Sequence, residues 1–360
     1  MFFRLLPEVY LIIGKHKSIL QNILNKKIFW IENDTAKLIK LCENNKPIPG
    51  EFLEYASQLK DHGWGTITSS PIFVDKLRFL DFNDQRQLHK KPLVIRHATI
   101  KLTDQCNLNC PNCGKVFCLL CIKTYEPIEN LSLGHLKAFT MNIKRYGCKT
   151  VLLTGGEIAI YSDLKNVYDF LLKNGFNIVL STNGIHKLDN YFTCSNIVIS
   201  AFKKEFLSVI IKNYEDFKNI TLCTYFEDKE NMLGMPDSWS VIKRSYYPHK
   251  ITKQSLLGTD IYRFYNKQMK STCLDGKVTV AQNGNIYPCL EAIKSANPVG
   301  NICNDSWEEI MHNLSCKYWN NKIDDHNICG KCEFRYTCNA CVFDNIKENC
   351  CYHMEEKVWT

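Results

Sequence analysis

Cysteine placement constrains this chain more than any other feature. The stretch CNLNCPNCGKVFCLLC packs Cys106, Cys110, Cys113, Cys118 and Cys121 into sixteen residues, and a second group runs from Cys273 to Cys351. The total of 19 cysteines is odd, so a secreted form would leave one unpaired. With 360 residues, 45% of them hydrophobic, the chain buries a core without disulfide staples. Clustered cysteines in a reducing compartment point to metal binding or catalysis. The first residues, MFFRLLPEVYLIIGKHK, are interrupted by Arg4, Pro7 and Glu8 and lead to no small-residue cleavage site. No uncharged apolar stretch reaches the length of a membrane span. A cytoplasmic protein with no membrane partner is expected.

The formal charge of +8 is spread along the chain without a block of like charges, and metal-bound thiolates would cancel part of it, so no nucleic-acid partner is expected. Cys42, Cys148, Cys194 and Cys223 lie in or beside segments that read as helix or strand and are expected to be small buried hydrophobes.

Between the two cysteine groups the chain alternates strand and helix. ATIKLTD, KTVLLTGGE, FNIVLSTNG and NIVISAF read as strands, with ITLCTYF and SWSVIKRS as two more, while SLGHLKAFTMNIKRYG and DLKNVYDFLLKNG read as helices that end at glycine. About six such units with right-handed crossovers give an α/β fold, a parallel sheet curled into an incomplete barrel with its chemistry at the C-terminal strand ends. The short motifs fall at those ends: the cysteine cluster after the first strand, Gly155, Gly156 and Glu157 after the second, and Ser181, Thr182, Asn183 and Gly184 after the third.

Cys106, Cys110 and Cys113 have the spacing CxxxCxxC, which lets one irregular loop supply three corners of a cubane iron-sulfur cluster and leaves a fourth iron open to a small amine-and-carboxylate chelator. A glycine pair such as Gly155 and Gly156 lets backbone approach such a molecule closely. A competing use of the loop takes Cys110, Cys113, Cys118 and Cys121 as two CxxC pairs around zinc, but it leaves Cys106 and the glycine motif without a purpose. In the favoured use, Cys118 and Cys121 pack near the cluster without holding it.

CNLNC followed by Cys113, then TGGE, then STNG, resembles the radical S-adenosylmethionine (radical SAM) enzymes. The resemblance implies a partial (β/α)6 barrel, one [4Fe-4S] cluster on Cys106, Cys110 and Cys113 as the catalytic centre, and S-adenosylmethionine contacts from Gly155, Gly156, Glu157, Ser181, Asn183 and Ser200. It also implies reductive cleavage of S-adenosylmethionine to methionine and a 5′-deoxyadenosyl radical, with electrons from a flavodoxin or ferredoxin. Asn112 stands where the family usually has an aromatic residue, and Ile158 where proline is common.

Cys273, Gly284, Cys289, Cys329, Cys332, Cys338 and Cys341, with Cys350 or Cys351 last, resemble the SPASM extension of such enzymes. The resemblance assigns Cys273, Cys289 and Cys341 to one auxiliary cluster, and Cys329, Cys332 and Cys338 with Cys350 or Cys351 to another. Only two residues separate Cys338 from Cys341 where the family has three, and Cys303 and Cys316 are spare candidates for a fourth ligand. Zinc remains an alternative for this group. CEFRYTC after a tryptophan-containing helix resembles the grasp-with-spasm peptide maturases, which implies an ATP-grasp ligase in the same pathway and a ribosomal precursor peptide as substrate.

VYLIIG and KIFWIE read as strands of a hairpin-like sheet, NDTAKLIKLCENN as a helix capped by Asn33 or Asp34, and PGEFLEYASQLKDHGW as a second helix stopped at Gly63. This order is similar to the winged-helix-like α+β domains that bind a leader peptide by strand addition; a simple cap over the barrel is the plainer alternative. The expected organisation is residues 1–84 for leader recognition, 92–250 for the barrel, and 251–360 for a linker and the SPASM domain. Arg244 is a weak candidate for the cofactor carboxylate, and His353 reads as a bystander. The expected function is a peptide maturase that forms a carbon-sulfur or carbon-carbon crosslink. The alternatives are a sulfatase-type formylglycine-generating maturase and a non-enzymatic zinc-binding protein.

Overall fold

The computed structural model describes residues 1–77, 93–110, 113, 120–123, 132–226, 234–243 and 260–338. Its central feature is a nine-stranded sheet in the order β11-β10-β9-β8-β7-β6-β12-β13-β14. The strands are β6 (His97–Lys101), β7 (Thr150–Thr154), β8 (Asn177–Thr182), β9 (Asn196–Ala201), β10 (Asn219–Thr224), β11 (Ser240–Lys243), β12 (Lys277–Val280), β13 (Asn285–Tyr287) and β14 (Gly300–Asn301). β6 to β11 pair in parallel in sequence order, as the βα alternation predicts. Among the connecting helices, α3 (Leu133–Arg145) starts at Ser132, whose hydroxyl accepts from the His135 N–H, and α4 (Leu164–Lys173) and α5 (Leu207–Tyr214) follow.

Side chains alternate across each strand, and the face away from the helices turns polar toward the C-terminal strand ends, beyond Leu152, Val179 and Val198. Ala98, Ile100, Val151, Leu153, Ile178, Leu180, Ile197 and Ile199 pack on the inner stripes of α3 and α4 in the main core. The opposite face, the barrel interior, carries Thr99, Lys101, Thr154, Ser181, Ser200 and Cys223. An apolar outside and a polar inside at the strand ends make a lined cavity out of the barrel mouth.

The sequence reading ended the barrel at its sixth strand, but the sheet continues. β12 pairs in parallel with β6, Lys277 opposite His97 through Val280 opposite Ile100, and β13 and β14 extend it antiparallel. The C-terminal cysteine-rich region therefore grows directly from the barrel edge.

The N-terminal strands are β1 (Phe2–Leu5), β2 (Val9–Ile13), β3 (Ser18–Asn22), β4 (Lys27–Ile31) and β5 (Gly65–Thr68), with helices α1 (Asn33–Glu43) and α2 (Leu53–Asp61). The two expected strands do not pair with each other: β3 lies between them in the order β2-β3-β4. β1 pairs with β5. The cap of α1 is Glu32, not Asn33 or Asp34. The Asn33 side chain instead accepts from Ser18 Oγ at 2.7 Å and donates to the carbonyls of Gly14 and Lys15. Gly63 stops α2 at φ +76°, as expected of a left-handed C-terminal residue. Phe3, Leu20, Ile39, Phe52, Ala56 and Trp64 form the separate core of this unit. Among the isolated cysteines, Cys42, Cys148 and Cys223 are buried as expected, whereas Cys194 is exposed. No helix among the described residues is long and apolar enough to cross a membrane.

Candidate functional site

The loop after β6 is threaded onto the end of β7 by backbone hydrogen bonds. Leu102 N–H donates to Thr154 O at 2.7 Å, Gly156 N–H to Thr103 O at 2.7 Å, and Glu157 N–H to Gln105 O at 2.8 Å. This contact explains the glycine pair in a way the sequence reading did not. A Cβ on Gly155 would stand 2.7 Å from Thr103 O, and one on Gly156 would stand 2.3 Å from Gln105 O. The glycines admit the backbone of the cysteine loop itself, and Gly156 also lines the cavity beside it.

Glu157 is fully buried, and its carboxylate faces the loop after β8. Its oxygens accept from Thr182 Oγ1 at 2.7 Å, the Asn183 N–H at 2.7 Å and the Ala159 N–H at 2.8 Å. Burial holds this carboxyl above the usual range, and the three donors oppose that shift. Glu157, expected among the cofactor contacts, thus joins two loops through its own side chain. Asn183, which it orients, donates from Nδ2 to Asn107 Oδ1 at 2.7 Å and approaches Cys106 Sγ at 3.9 Å.

Cys106, Cys110, Cys113, Asn183 and Gly156 line one cavity of about 160 Å³, together with Phe202 and Lys203 from the end of β9. Burial pushes the Cys110 thiol up to about 11, and the neighbouring Cys113 and Cys106 add to the shift. Cys106 Sγ also accepts from the Leu108 N–H at 3.4 Å. Among the described residues no three His, Cys, Asp or Glu side chains form a site for a single metal ion. A four-iron cube takes each thiolate on a different iron, so it spreads its ligand sulfurs around a larger body. The donor set fits such a group: three thiolates of one loop at one cavity, with amide donors on a sulfur. The interior also keeps an unmatched hydroxyl, since Ser200 Oγ is buried and has no hydrogen-bond partner among the described residues. Ser181 Oγ is engaged, donating to Leu120 O at 2.7 Å.

Three residues at this mouth escaped the sequence reading. Lys101, fully buried at the end of β6, places Nζ 2.5 Å from Asp104 Oδ1 and 2.5 Å from Gln282 Oε1. Gln282 Nε2 in turn donates to the other oxygen of Asp104. The triad ties the base of the cysteine loop to the turn after β12. Its one sequence signal is a lysine at an inward position of ATIKLTD, three residues before Asp104.

Cys273, Cys289, Cys329, Cys332 and Cys338 lie in the C-terminal region, while Cys341, Cys350 and Cys351, with Cys118, Arg244 and His353, lie outside the described residues. Burial, followed by the nearby Cys273, pushes the Cys289 thiol up to about 12. Cys332 Sγ accepts from the Phe334 N–H at 3.4 Å, repeating the pattern at Cys106. Lys267 of helix α6 (Ile261–Met269) is buried and bonds to the Cys338 carbonyl. Burial lowers it to about 8, while Cys338, Cys273 and Cys329 pull it back up. The charge of this lysine is therefore coupled to cysteines of both expected sets. The spare candidates have other neighbours: Cys303 Sγ is 3.3 Å from His135 Nδ1, and Cys316 Sγ is 3.7 Å from His312 Nε2.

The EFRY segment between Cys332 and Cys338 holds the N-terminal sheet. Phe334 meets Trp30 edge-on with centroids 4.9 Å apart, and Phe264 meets Tyr10 at 5.0 Å. Arg335 donates to Ile13 O at 3.1 Å, and the Lys15 N–H donates to Lys331 O at 2.8 Å. Ile12, Ile19 and Ile23 close the apolar contact around Cys332.

Residues 272–333 match the SPASM family model, an iron-sulfur cluster-binding domain. The match places an iron-sulfur cluster-binding domain directly after the barrel that carries the three-cysteine loop, an arrangement like that of radical SAM enzymes with a C-terminal SPASM domain. The chain is similar to the antilisterial bacteriocin subtilosin biosynthesis protein AlbA of Bacillus subtilis, at 21% identity over 315 residues, 70% of this chain and 68% of that protein. A 95-residue stretch, 26% of the chain, is 32% identical to 22% of the Fe-coproporphyrin III synthase of Methanosarcina barkeri. Among solved structures, Streptococcus suis SuiB bound to S-adenosylmethionine has a like fold. That comparison covers 96% of this chain and 97% of SuiB, with a TM-score of 0.50 and 13% identity.

Proposed function

We propose that this chain modifies a ribosomally made precursor peptide by radical chemistry, forming a carbon-sulfur or carbon-carbon crosslink. The observation that carries the radical step is the convergence of Cys106, Cys110 and Cys113 on one cavity at the barrel mouth. A cluster held by Cys106, Cys110 and Cys113 would supply the electron for reductive cleavage of S-adenosylmethionine to methionine and a 5′-deoxyadenosyl radical. The chain's own groups hold the parts. The three cysteines hold the cluster, Glu157 fixes Asn183 beside Cys106, Ser200 offers its unmatched hydroxyl to the cofactor, and Phe202 and Phe206 keep that side of the cavity apolar. Cys273 and Cys289, with Cys341, and Cys329, Cys332 and Cys338, with Cys350 or Cys351, hold the two auxiliary clusters. A flavodoxin or ferredoxin supplies the electron in a cytoplasmic setting, and an ATP-grasp ligase works in the same pathway.

Leader recognition falls to residues 1–84, ahead of a barrel over 92–250 and a linker and SPASM unit over 251–360. Among the described residues β4 is an edge of its three-stranded sheet, with one side of its backbone unpaired and suited to an added strand. Phe29 on β4 is 39% exposed and lies against Trp64 at 5.7 Å, an aromatic anchor beside that edge. The likeness to a bacteriocin biosynthesis protein supports a peptide substrate over a folded one.

The full-length Phe29→Asp variant tests this reading. It places a charge where a leader side chain would pack, so affinity for a synthetic leader is expected to fall about tenfold, on the scale of an interface anchor. Formation of 5′-deoxyadenosine without peptide should stay within about twofold, because the barrel is untouched. Unchanged leader affinity would reduce the N-terminal unit to a cap.

A further inference from the structure

Cys121 was expected to lie near the three-cysteine site without belonging to it. The structure brings it into the same cavity as Cys106, Cys110 and Cys113. Its backbone is held at the strand ends from three sides. Leu120 O accepts from Thr154 Oγ1 on β7 and from Ser181 Oγ on β8 at 2.7 Å, and the Ile122 N–H donates to Gly155 O at 3.0 Å. The side chain packs in a cluster with Cys110, Phe202, Cys223 and Tyr225. The cavity therefore holds four thiol groups where the cofactor-binding cluster uses three, and the fourth is anchored over the glycine motif.

We propose that Cys121 is an exchangeable fourth ligand of the cluster, bound to the open iron while S-adenosylmethionine is absent and displaced when it arrives. The inference rests on the radical SAM reading of the cavity. A thiolate is a soft donor suited to iron, so it competes for the same coordination position as the cofactor's amine and carboxylate. In the exchange one iron-sulfur bond to Cys121 breaks, iron-nitrogen and iron-oxygen bonds to the cofactor form, and the released thiolate takes up one proton. No electron moves. Leu120 O stays bonded to Thr154 and Ser181 and the Ile122 N–H to Gly155 O, so the loop backbone stays in place through the exchange. The resting iron is thereby closed to water and dioxygen. The cost is an apparent cofactor affinity reduced by the fraction of enzyme in the self-ligated form.

The test compares full-length, anaerobically reconstituted wild type with Cys121→Ala. Iron content should be equal. After reduction, the electron paramagnetic resonance spectra should differ without S-adenosylmethionine and coincide when it is saturating. The variant should bind S-adenosylmethionine about five- to tenfold more tightly in equilibrium dialysis, since nothing has to be displaced. Identical spectra without cofactor would overturn the proposal and make Cys121 a packed thiol. Loss of about four irons from the variant would also overturn it, by making Cys121 an obligate ligand. A wild type that holds iron but neither binds nor cleaves S-adenosylmethionine would sink the underlying reading instead, so the two failures are distinguishable.

Discussion

Replacing Cys106, Cys110 and Cys113 together by alanine is expected to remove about four of roughly twelve irons and to abolish 5′-deoxyadenosine formation, while the auxiliary sites stay loaded. The three sulfurs come from one loop whose backbone is bonded to Thr154, Gly156 and Glu157, so their loss empties the site without unravelling the sheet. The C-terminal cysteines lie on other elements and keep their own contacts, such as the Phe334 N–H on Cys332 Sγ. Iron assay and chromatography of the quenched reaction check both parts. Residual 5′-deoxyadenosine in the triple variant would show that the wrong cysteines have been assigned to the cofactor.

The second large effect concerns Lys101. A lysine with no exposed surface is tolerable only beside an opposing charge and acceptors, here the Asp104 carboxylate and the Gln282 amide oxygen. Lys101→Met removes the cation and leaves Asp104, whose side chain is only 14% exposed, beside a lost partner. Breaking one side of a buried pair costs about 3–5 kcal/mol, so the denaturation midpoint should fall accordingly. Adding Asp104→Asn to Lys101→Met removes the stranded charge and should restore a substantial part of that loss. A single variant within about 1 kcal/mol of wild type would show that the triad contributes only as a surface pair does.

What was legible in the sequence was local. The order of β6 to β11, the helix that starts at Ser132, and the convergence of the CxxxCxxC, TGGE and STNG loops all follow from periodicity and chain order over short distances. β3 was missed because SILQN is buried at every position and shows no alternation. The pairing of β12 with β6 joins Lys277 to His97, a contact between distant segments that no local pattern encodes. A second use of Gly155 and Gly156, beside the expected approach to the cofactor, is hidden from the sequence for a similar reason. Their freedom from Cβ is used by Thr103 and Gln105, whose approach only the fold creates. EFRY stands out as a motif, yet its contacts with Ile13 and Trp30, some three hundred residues earlier in the chain, are encoded by no local pattern.

The most direct measurement is the fate of S-adenosylmethionine on the reduced, iron-loaded, full-length protein under strict anaerobic conditions. Equal amounts of 5′-deoxyadenosine and methionine are expected to accumulate, because Cys106, Cys110 and Cys113 at one cavity would hold a cluster with one iron accessible to the cofactor. A fully loaded protein that binds S-adenosylmethionine and yields neither product would contradict the assignment of this cavity as a radical-generating site.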